Sequence, residues 1–192
     1  LAAGALGVGT DLPPWVGLVA GLVAAGGVHA GKAAVRPVVN VTTGGVGAGS
    51  TLSCGPSTAT VLQCWGSDAN GQLGDGGANT DYLVPVAVAV IATAVSDTTG
   101  GGGHGCALTS AGAVYCWGDN FFGQVGDGTS GNSYGSPVSA SGLASVTSIS
   151  AGGYHTCAAT ATGIYCWGDN SMGEIGDGTN TNRSTPTAAI YP

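Results

Sequence analysis

From residue 47 onward the chain alternates apolar positions with small or polar ones in short runs. Ala113-Val114-Tyr115-Cys116-Trp117 sets its larger side chains on one face and its smaller ones on the other, the pattern of a half-buried β-strand. Glycine-rich punctuation about every eight to twelve residues cuts the region into roughly four short strands per unit. Residues 1–46 have another texture. Trp15 to Val28 carries no charge over fourteen residues, and Pro13-Pro14 stands before it, where proline suits a helix start. This segment is read as a short apolar helix.

The strand pattern is a repeat. Cys-Trp-Gly occurs at Cys64, Cys116 and Cys166, with intervals of 52 and 50 residues, and a period near fifty points to propeller blades or a solenoid. The copies read CWGSDANGQLGDG, CWGDNFFGQVGDG and CWGDNSMGEIGDG. Trp65, Trp117 and Trp167 are expected to fill the space between neighbouring units, with the following glycine allowing close backbone approach. The Asp-Gly pairs Asp75-Gly76, Asp127-Gly128 and Asp177-Gly178 carry turn chemistry, since Asp can bond its own backbone and glycine accepts a positive φ, and Gly74, Gly126 and Gly176 before them recur as structural positions. Leu73, Val125 and Ile175 are expected to point inward.

The strings HGCALTSAGAVYCWGDNFFGQVGDG and HTCAATATGIYCWGDNSMGEIGDG resemble the RCC1 repeat, in its bacterial, cysteine-containing form, over residues 47–192. The resemblance implies an all-β fold: a partial β-propeller of about three four-stranded blades, preceded here by the short apolar helical segment. Three units cannot close a ring, because propellers have roughly four to eight blades. The chain is therefore expected to be a fragment, with further blades in its parent protein.

Six cysteines fall one pair to a unit: Cys54/Cys64, Cys106/Cys116 and Cys157/Cys166. If each pair flanks a hairpin, the midpoints fall at Ala111 and at Ala161-Thr162, inside the expected turns. Directly opposed side chains lie about 4.5–5.5 Å apart at Cβ, which puts a bridge within reach. Closing a loop of about ten residues would stabilise a blade by roughly 2.5–3 kcal/mol on the chain-entropy account. Buried free thiols packing as small apolar residues are the alternative. No C-x-x-C pair or second ligand cluster suggests a metal. Disulfides imply an oxidising, extracytoplasmic compartment.

Composition narrows the function. Of 192 residues 38 are glycine and 7% are charged, with a net charge of −7. After Gly47 the only cation is Arg183, against nine acids: Asp68, Asp75, Asp81, Asp97, Asp119, Asp127, Asp169, Glu174 and Asp177. Nucleic-acid binding needs several cations to neutralise phosphates, so a DNA or chromatin role is excluded. The apolar run Trp15–Val28 is shorter than the roughly twenty residues that span a bilayer, although weakly polar flanks extend it to Ala30. Membrane association through residues 15–30 is carried as an expectation. HAGKAAVRPVVNVTTGGVG resembles part of an uncharacterised bacterial membrane-protein family, which implies that residues 1–46 are the remnant of a membrane segment, the tail of a helix pair; a buried apolar helix or a poorly ordered leader is the alternative. Lys32 and Arg36 would hold its C-terminal end in the cytoplasm, against the oxidising side that the cysteines favour. A fusion near Gly47 would resolve the conflict.

The remaining candidates are weighed beside their structural readings. His104 and His155 occupy one repeat position, two before the first cysteine of a pair. A recurrent residue is expected to make the same hydrogen bond within each blade. No nucleophile accompanies either. Asp119-Asn120 and Asp169-Asn170 lack the Glu of a calcium loop and read as turn caps. Gly100–Gly105 lacks the G-K-[ST] ending of a phosphate loop. Phe121-Phe122 departs from its sister copies and would anchor a partner if exposed, or pack beneath its loop if not. No catalytic residue, metal or cofactor is assigned. The reading is a non-enzymatic protein-binding or scaffold module. The alternative is a membrane-anchored surface or adhesion repeat protein, and the partner is a protein of unknown identity.

Overall fold

The computed structural model describes residues 45–191 apart from 59, 60, 90, 92 and 93. The apolar segment, His29, Lys32 and Arg36 lie outside the described residues. Among the described residues there are twelve strands and no helix, in three antiparallel four-stranded sheets. The first blade holds β1 (Gly47–Ala48), β2 (Leu52–Thr58), β3 (Val61–Gly66) and β4 (Tyr82–Ala87). The second holds β5 (Val95–Gly100), β6 (His104–Thr109), β7 (Val114–Asn120) and β8 (Asn132–Ser139). The third holds β9 (Ser148–Ala151), β10 (His155–Thr160), β11 (Gly163–Gly168) and β12 (Arg183–Ala188). Each sheet pairs its strands in sequence order, the up-and-down arrangement that short turns impose. β1, β5 and β9 approach one another from successive blades and form the inner edge. Pro85, Pro137 and Pro186 all lie on the outermost strands β4, β8 and β12, where a missing N–H costs no ladder bond and blunts an exposed edge.

The Cys-Trp-Gly motif has a backbone reason. The pairing of the third strand with the outer strand shifts register between Cys64 and Gly66, Cys116 and Gly118, and Cys166 and Gly168. These glycines have φ of 116°, 94° and 108°. The tryptophan sits at a bulge, which twists the strand and turns the indole out of the sheet. Behind it the cysteines are directly opposed, Cys54 to Cys64, Cys106 to Cys116 and Cys157 to Cys166. Each pair has a Cα–Cα separation of 4.1 Å, with the sulfurs at disulfide distance.

The apolar core lies between blades. One cluster joins Leu52, Leu62, Leu73, Val95, Ala107 and Trp117 across the first interface. The other includes Leu108, Val114, Val125, Ile149, Ala158 and Trp167 across the second. Trp117 and Trp167 are fully buried, worth about 4–6 kcal/mol each as apolar area removed from water. Trp65 belongs to the first blade, has no preceding blade among the described residues, and is only part-buried. Residues 113–116 alternate part-buried and buried positions, as their pattern predicts, and Trp117 is fully buried. In the middle blade β6 is buried at every position and β7 at all but Tyr115 and Asp119, because a neighbour covers both faces of that sheet. Partial burial holds for β3 and β10, which belong to the flanking blades.

Glycine at the indole seat is dictated by space and by backbone together. A Cβ on Gly126 would fall 2.5 Å from Trp167 Nε1, and one on Gly74 2.7 Å from Trp117 Nε1. Both residues have positive φ, 83° and 67°. Gly142 has φ 72° but open space around it. Gly142→Ala should therefore cost only the backbone strain, about 1–2 kcal/mol. Gly126→Ala should add about 1–3 kcal/mol of overpacking to that. Urea unfolding of the two variants measures the difference, and equal losses would mean that the seat is not sterically closed.

Candidate interaction face

In an up-and-down blade the loops after the first and third strands emerge at the same end. That end therefore carries the tight turns at residues 49–51, 101–103 and 152–154, and the long loops at 67–81, 121–131 and 169–182. Each long loop is organised by one buried side chain that follows the bulge. Asn120 Oδ1 accepts the Val125 N–H (3.0 Å), while its Nδ2 donates to the Thr129 carbonyl (3.2 Å) and Asn132 Oδ1 (2.8 Å). Asn170 repeats this with the Ile175 N–H (2.9 Å) and the carbonyls of Thr179 (2.9 Å) and Thr181 (3.0 Å). The carboxylates Asp75, Asp127 and Asp177 each accept the N–H two residues on, at 2.7–2.9 Å, the bond that closes an Asx-turn.

The first blade departs from this scheme. Asp68 replaces the Asn, accepts the Leu73 N–H through Oδ1 (2.9 Å), and leaves a buried Oδ2 without a partner. Burial raises its carboxyl pKa, and the charges of Asp75 and Asp81 push the same way. Burial also works to raise Asp127, but hydrogen bonds from Tyr134 and Thr129 outweigh it and hold that carboxyl low. Thr179, followed by Arg183, holds Asp177 down to about 2. Arg183 Nε donates to Asp177 Oδ2 at 2.7 Å.

The two histidines do not make one shared bond inside their blades. His104 is fully buried, and its Nε2 meets Thr156 Oγ1 of the next blade at 2.9 Å. Thr156 Oγ1 in turn donates to the Gln124 carbonyl (3.0 Å), which also accepts the Trp167 indole N–H (2.9 Å). With its proton committed to Gln124, the threonine oxygen accepts from a protonated Nε2, which leaves Nδ1 bare and buried. Burial, then the charge of His155, lowers the His104 pKa to about 4. The bond crosses blades because Thr156 occupies the position that is Gly105 one blade earlier, where a side chain would strike Trp117. His155 is half-exposed, with no later blade among the described residues to cover it.

The aromatic pair lies at the same end. Phe121 is 63% exposed and Phe122 half-buried. Phe122 stacks edge-on with Phe121 (centroids 5.0 Å) and tilts against Tyr154 of the third blade (5.4 Å). Tyr154 is 50% exposed, and Met172 stands in the Phe122 position of the next loop, largely in solvent. Sequence reasoning missed Tyr154 and Met172. Their signal was that Tyr154 replaces Gly103 and Met172 replaces Phe122 in the aligned copies. Eight of the nine acids after Gly47 fall on this end, the exception being Asp97 on β5. Beside them, the inner turns form a shallow depression of glycine, alanine and serine, including Gly49, Gly101 and Gly152. Among the described residues no three His, Cys, Asp or Glu side chains gather as a metal site.

The pattern of the regulator of chromosome condensation (RCC1) repeat matches residues 111–159, and a second RCC1 pattern matches 95–124 and 146–174. These are RCC1-like repeats. Alsin of Rattus norvegicus is 40% identical over 72 residues, covering 37% of this chain and 4% of Alsin. The ultraviolet-B receptor UVR8 of Arabidopsis thaliana is 38% identical over 86 residues, covering 41% of this chain and 19% of the receptor. The crystal structure of Prp20p from Saccharomyces cerevisiae superposes with a TM-score of 0.67 at 20% identity, over 76% of this chain and 38% of Prp20p. The RCC1-like blades here thus span well under half of the relatives' length, and the fold is that of a partial RCC1 β-propeller.

The buried polar pair yields two expectations. His104 binds a proton less readily folded than unfolded, so between pH about 4 and 6.5 the unfolded state holds more protons and stability rises with pH. Its contribution, roughly 3 kcal/mol in full, is present above pH 6.5 and lost as pH falls towards 4. Urea unfolding across that window should show the slope, and His104→Gln should flatten it. Asp68→Asn should supply the missing donor, remove a buried charge and raise stability by about 1–2 kcal/mol at pH 7. A loss of stability in that variant would contradict the assignment of Asp68 as the misfit in the series.

Proposed function

We propose that the chain is a non-enzymatic protein-binding module, a three-blade part of an extracytoplasmic RCC1-like propeller, whose long-loop face takes a cationic protein segment. One observation carries the reading: Phe121, Phe122 and Tyr154 form a contiguous, half-exposed aromatic cluster across two blades, on the end that carries eight of the nine acids after Gly47. Exposed aromatics on a rigid support make strong anchors because little side-chain freedom is lost on binding. The surrounding Asp119, Asp127, Asp169 and Glu174 favour a basic partner, and ring faces attract Lys and Arg. Among the described residues the only Lys or Arg on this end, Arg183, is paired with Asp177. Prp20p, whose fold the blades share, is described by its binding to Gsp1p and histones, which supports a protein partner here. The pairing of all six cysteines at disulfide distance supports an oxidising location. Among the described residues no helix is long and apolar enough to cross a membrane.

Titration with an arginine- and lysine-rich peptide, followed by NMR, tests the face. Shifts should centre on Phe121, Phe122 and Tyr154. Phe121→Ala should weaken binding roughly tenfold, the loss expected of an anchor worth about 1.4 kcal/mol. An acidic peptide should leave the spectrum unchanged. Shifts confined to other surfaces, or equal response to both peptides, would refute the assignment. Alkylation of native protein from its own cells should find no free thiol, and six reactive thiols would refute the location.

A further inference from the structure

The long loop of the first blade, residues 67–81, makes none of the side-chain bonds that hold the same loop together in the other two blades. In the second blade Asn120 Nδ2 donates to the Thr129 carbonyl (3.2 Å) and hydroxyl (3.0 Å) and to Asn132 Oδ1 (2.8 Å). In the third Asn170 Nδ2 donates to the carbonyls of Thr179 (2.9 Å) and Thr181 (3.0 Å) and to Asp177 Oδ1 (3.3 Å). One amide nitrogen thus gathers the oxygens of each loop. Two further side chains close the carboxylate beside it: the Thr129 hydroxyl and Tyr134 on Asp127, and the Thr179 hydroxyl (2.7 Å) and Arg183 Nε (2.7 Å) on Asp177.

In the first blade three replacements remove those donors and add charge. Asp68 stands at the place of Asn120 and Asn170, Gly77 at that of Thr129 and Thr179, and Asp81 at that of Ser133 and Asn182. Tyr82 keeps the place of Tyr134 but makes no bond to Asp75, which among the described residues is left with the Gly77 N–H (2.7 Å). Asp68 Oδ1 takes the Leu73 N–H (2.9 Å) as the asparagine Oδ1 atoms take those of Val125 and Ile175. Its Oδ2 therefore lies where the amide nitrogen lies in the sister blades, fully buried and without a hydrogen-bond partner. Such an oxygen is costly to bury unpaired. Burial works most against the anion there, and the charges of Asp75 and Asp81 add to it, while the N–H groups of Leu73 and Thr80 offset only part. The loop is packed against the second blade, with the Gly76 N–H on the Gly135 carbonyl (2.7 Å) and the Gln72 carbonyl on Trp117 Nε1 (2.8 Å), so the orphaned oxygen does not lie at an open blade face.

We propose that the 67–81 loop binds a calcium ion in the place that the asparagine amide takes in the other blades. Asp68 Oδ2 and Asp75 Oδ2 supply two negative charges, and Asp81 adds a third carboxylate on the exposed side. The Gly77 carbonyl is the counterpart of the Thr129 and Thr179 carbonyls that accept from the amide in both sister loops. Side chains alone do not gather as a full ligand set among the described residues. Calcium completes its six to eight oxygens from backbone carbonyls and water, and tolerates irregular geometry, whereas magnesium demands a near-ideal octahedron and keeps its waters. The bound ion ties the loop together around Leu73. Gly74, the next residue, seats Trp117, so the ion steadies the first blade interface.

Urea unfolding of the full 192-residue chain, stripped with a chelator and then titrated with calcium chloride, tests this. Weak sites of extracellular modules bind calcium at about 0.1–1 mM, so about 10 mM calcium should raise the folded-to-unfolded ratio roughly ten- to hundredfold. Magnesium at the same concentration, which screens charge equally, should raise it far less. In metal-free buffer Asp68→Asn should be the more stable chain, and calcium should no longer change it. Asp97→Asn, on β5 and away from the loop end, should keep the full response. In NMR spectra of the unmodified chain, which need no variant, calcium should shift the N–H signals of Leu73, Gly77 and Thr80 and leave those of Val125 and Ile175 in place. No response to calcium, equal stabilisation by magnesium, an undiminished response in Asp68→Asn, or shifts spread over all three loops would overturn the proposal.

Discussion

An indole clamped between two sheets, with its N–H on a carbonyl of the preceding blade, is the contact from which the rest of this structure follows. It requires a bulge to turn the tryptophan out of its strand and a glycine to accept the bulge's positive φ. It also needs a second glycine in the neighbouring loop to leave room for the ring. Each requirement recurs at about fifty-residue intervals because each blade must present both halves of the contact. The cysteines share the same geometry from the other side. The second cysteine of each pair lies one residue before the tryptophan, directly across from the first, and sets a sulfur at disulfide distance between the strand that carries the wedge and its hairpin partner. A blade held this way is rigid enough to display loops, although its own core is thin, since the apolar residues lie between blades and not within them.

Much of this was legible in the sequence because it is periodic. Trp65, Trp117 and Trp167, the Asp-Gly turns and the opposed cysteines all announce themselves by recurring, and strand count follows from glycine spacing. What escaped was aperiodic or relational. The bond from His104 to Thr156 joins residues 52 apart in sequence, and Thr156 differs from its counterparts Gly105 and Ser53, so no repeat pattern marks it. The complete burial of β6 depends on having a neighbour on both sides, which local alternation cannot express. Tyr154 and Met172 matter only where the turns of successive blades meet at one end. Asp68 looks like one more acid in an acidic chain until its place is seen to be that of two buried asparagines.

The loop face and the blade-to-blade surface make different demands and use different residues. The loops tolerate variation because Asn120 and Asn170 fix their backbones from within, which frees positions such as Phe121 and Ser171 to differ. The surfaces that meet neighbouring blades tolerate little, since a methyl group at Gly126 already collides with Trp167. Within this chain the loops differ from blade to blade while the stacking residues recur, and Phe121 and Tyr154 are among the differences left exposed. The acid sensitivity expected of His104 belongs to the stacking chemistry and not to the loop face, because the ring is sealed between blades.

Indole N–H exchange, followed residue by residue by NMR at a concentration where the chain is monomeric, measures the clamp directly. Trp117 and Trp167, each bonded to a carbonyl of the preceding blade, should exchange only as slowly as the domain unfolds, while Trp65 exchanges rapidly. Equal rates at all three, or free exchange at Trp117, would contradict the claim that these contacts hold the blades together.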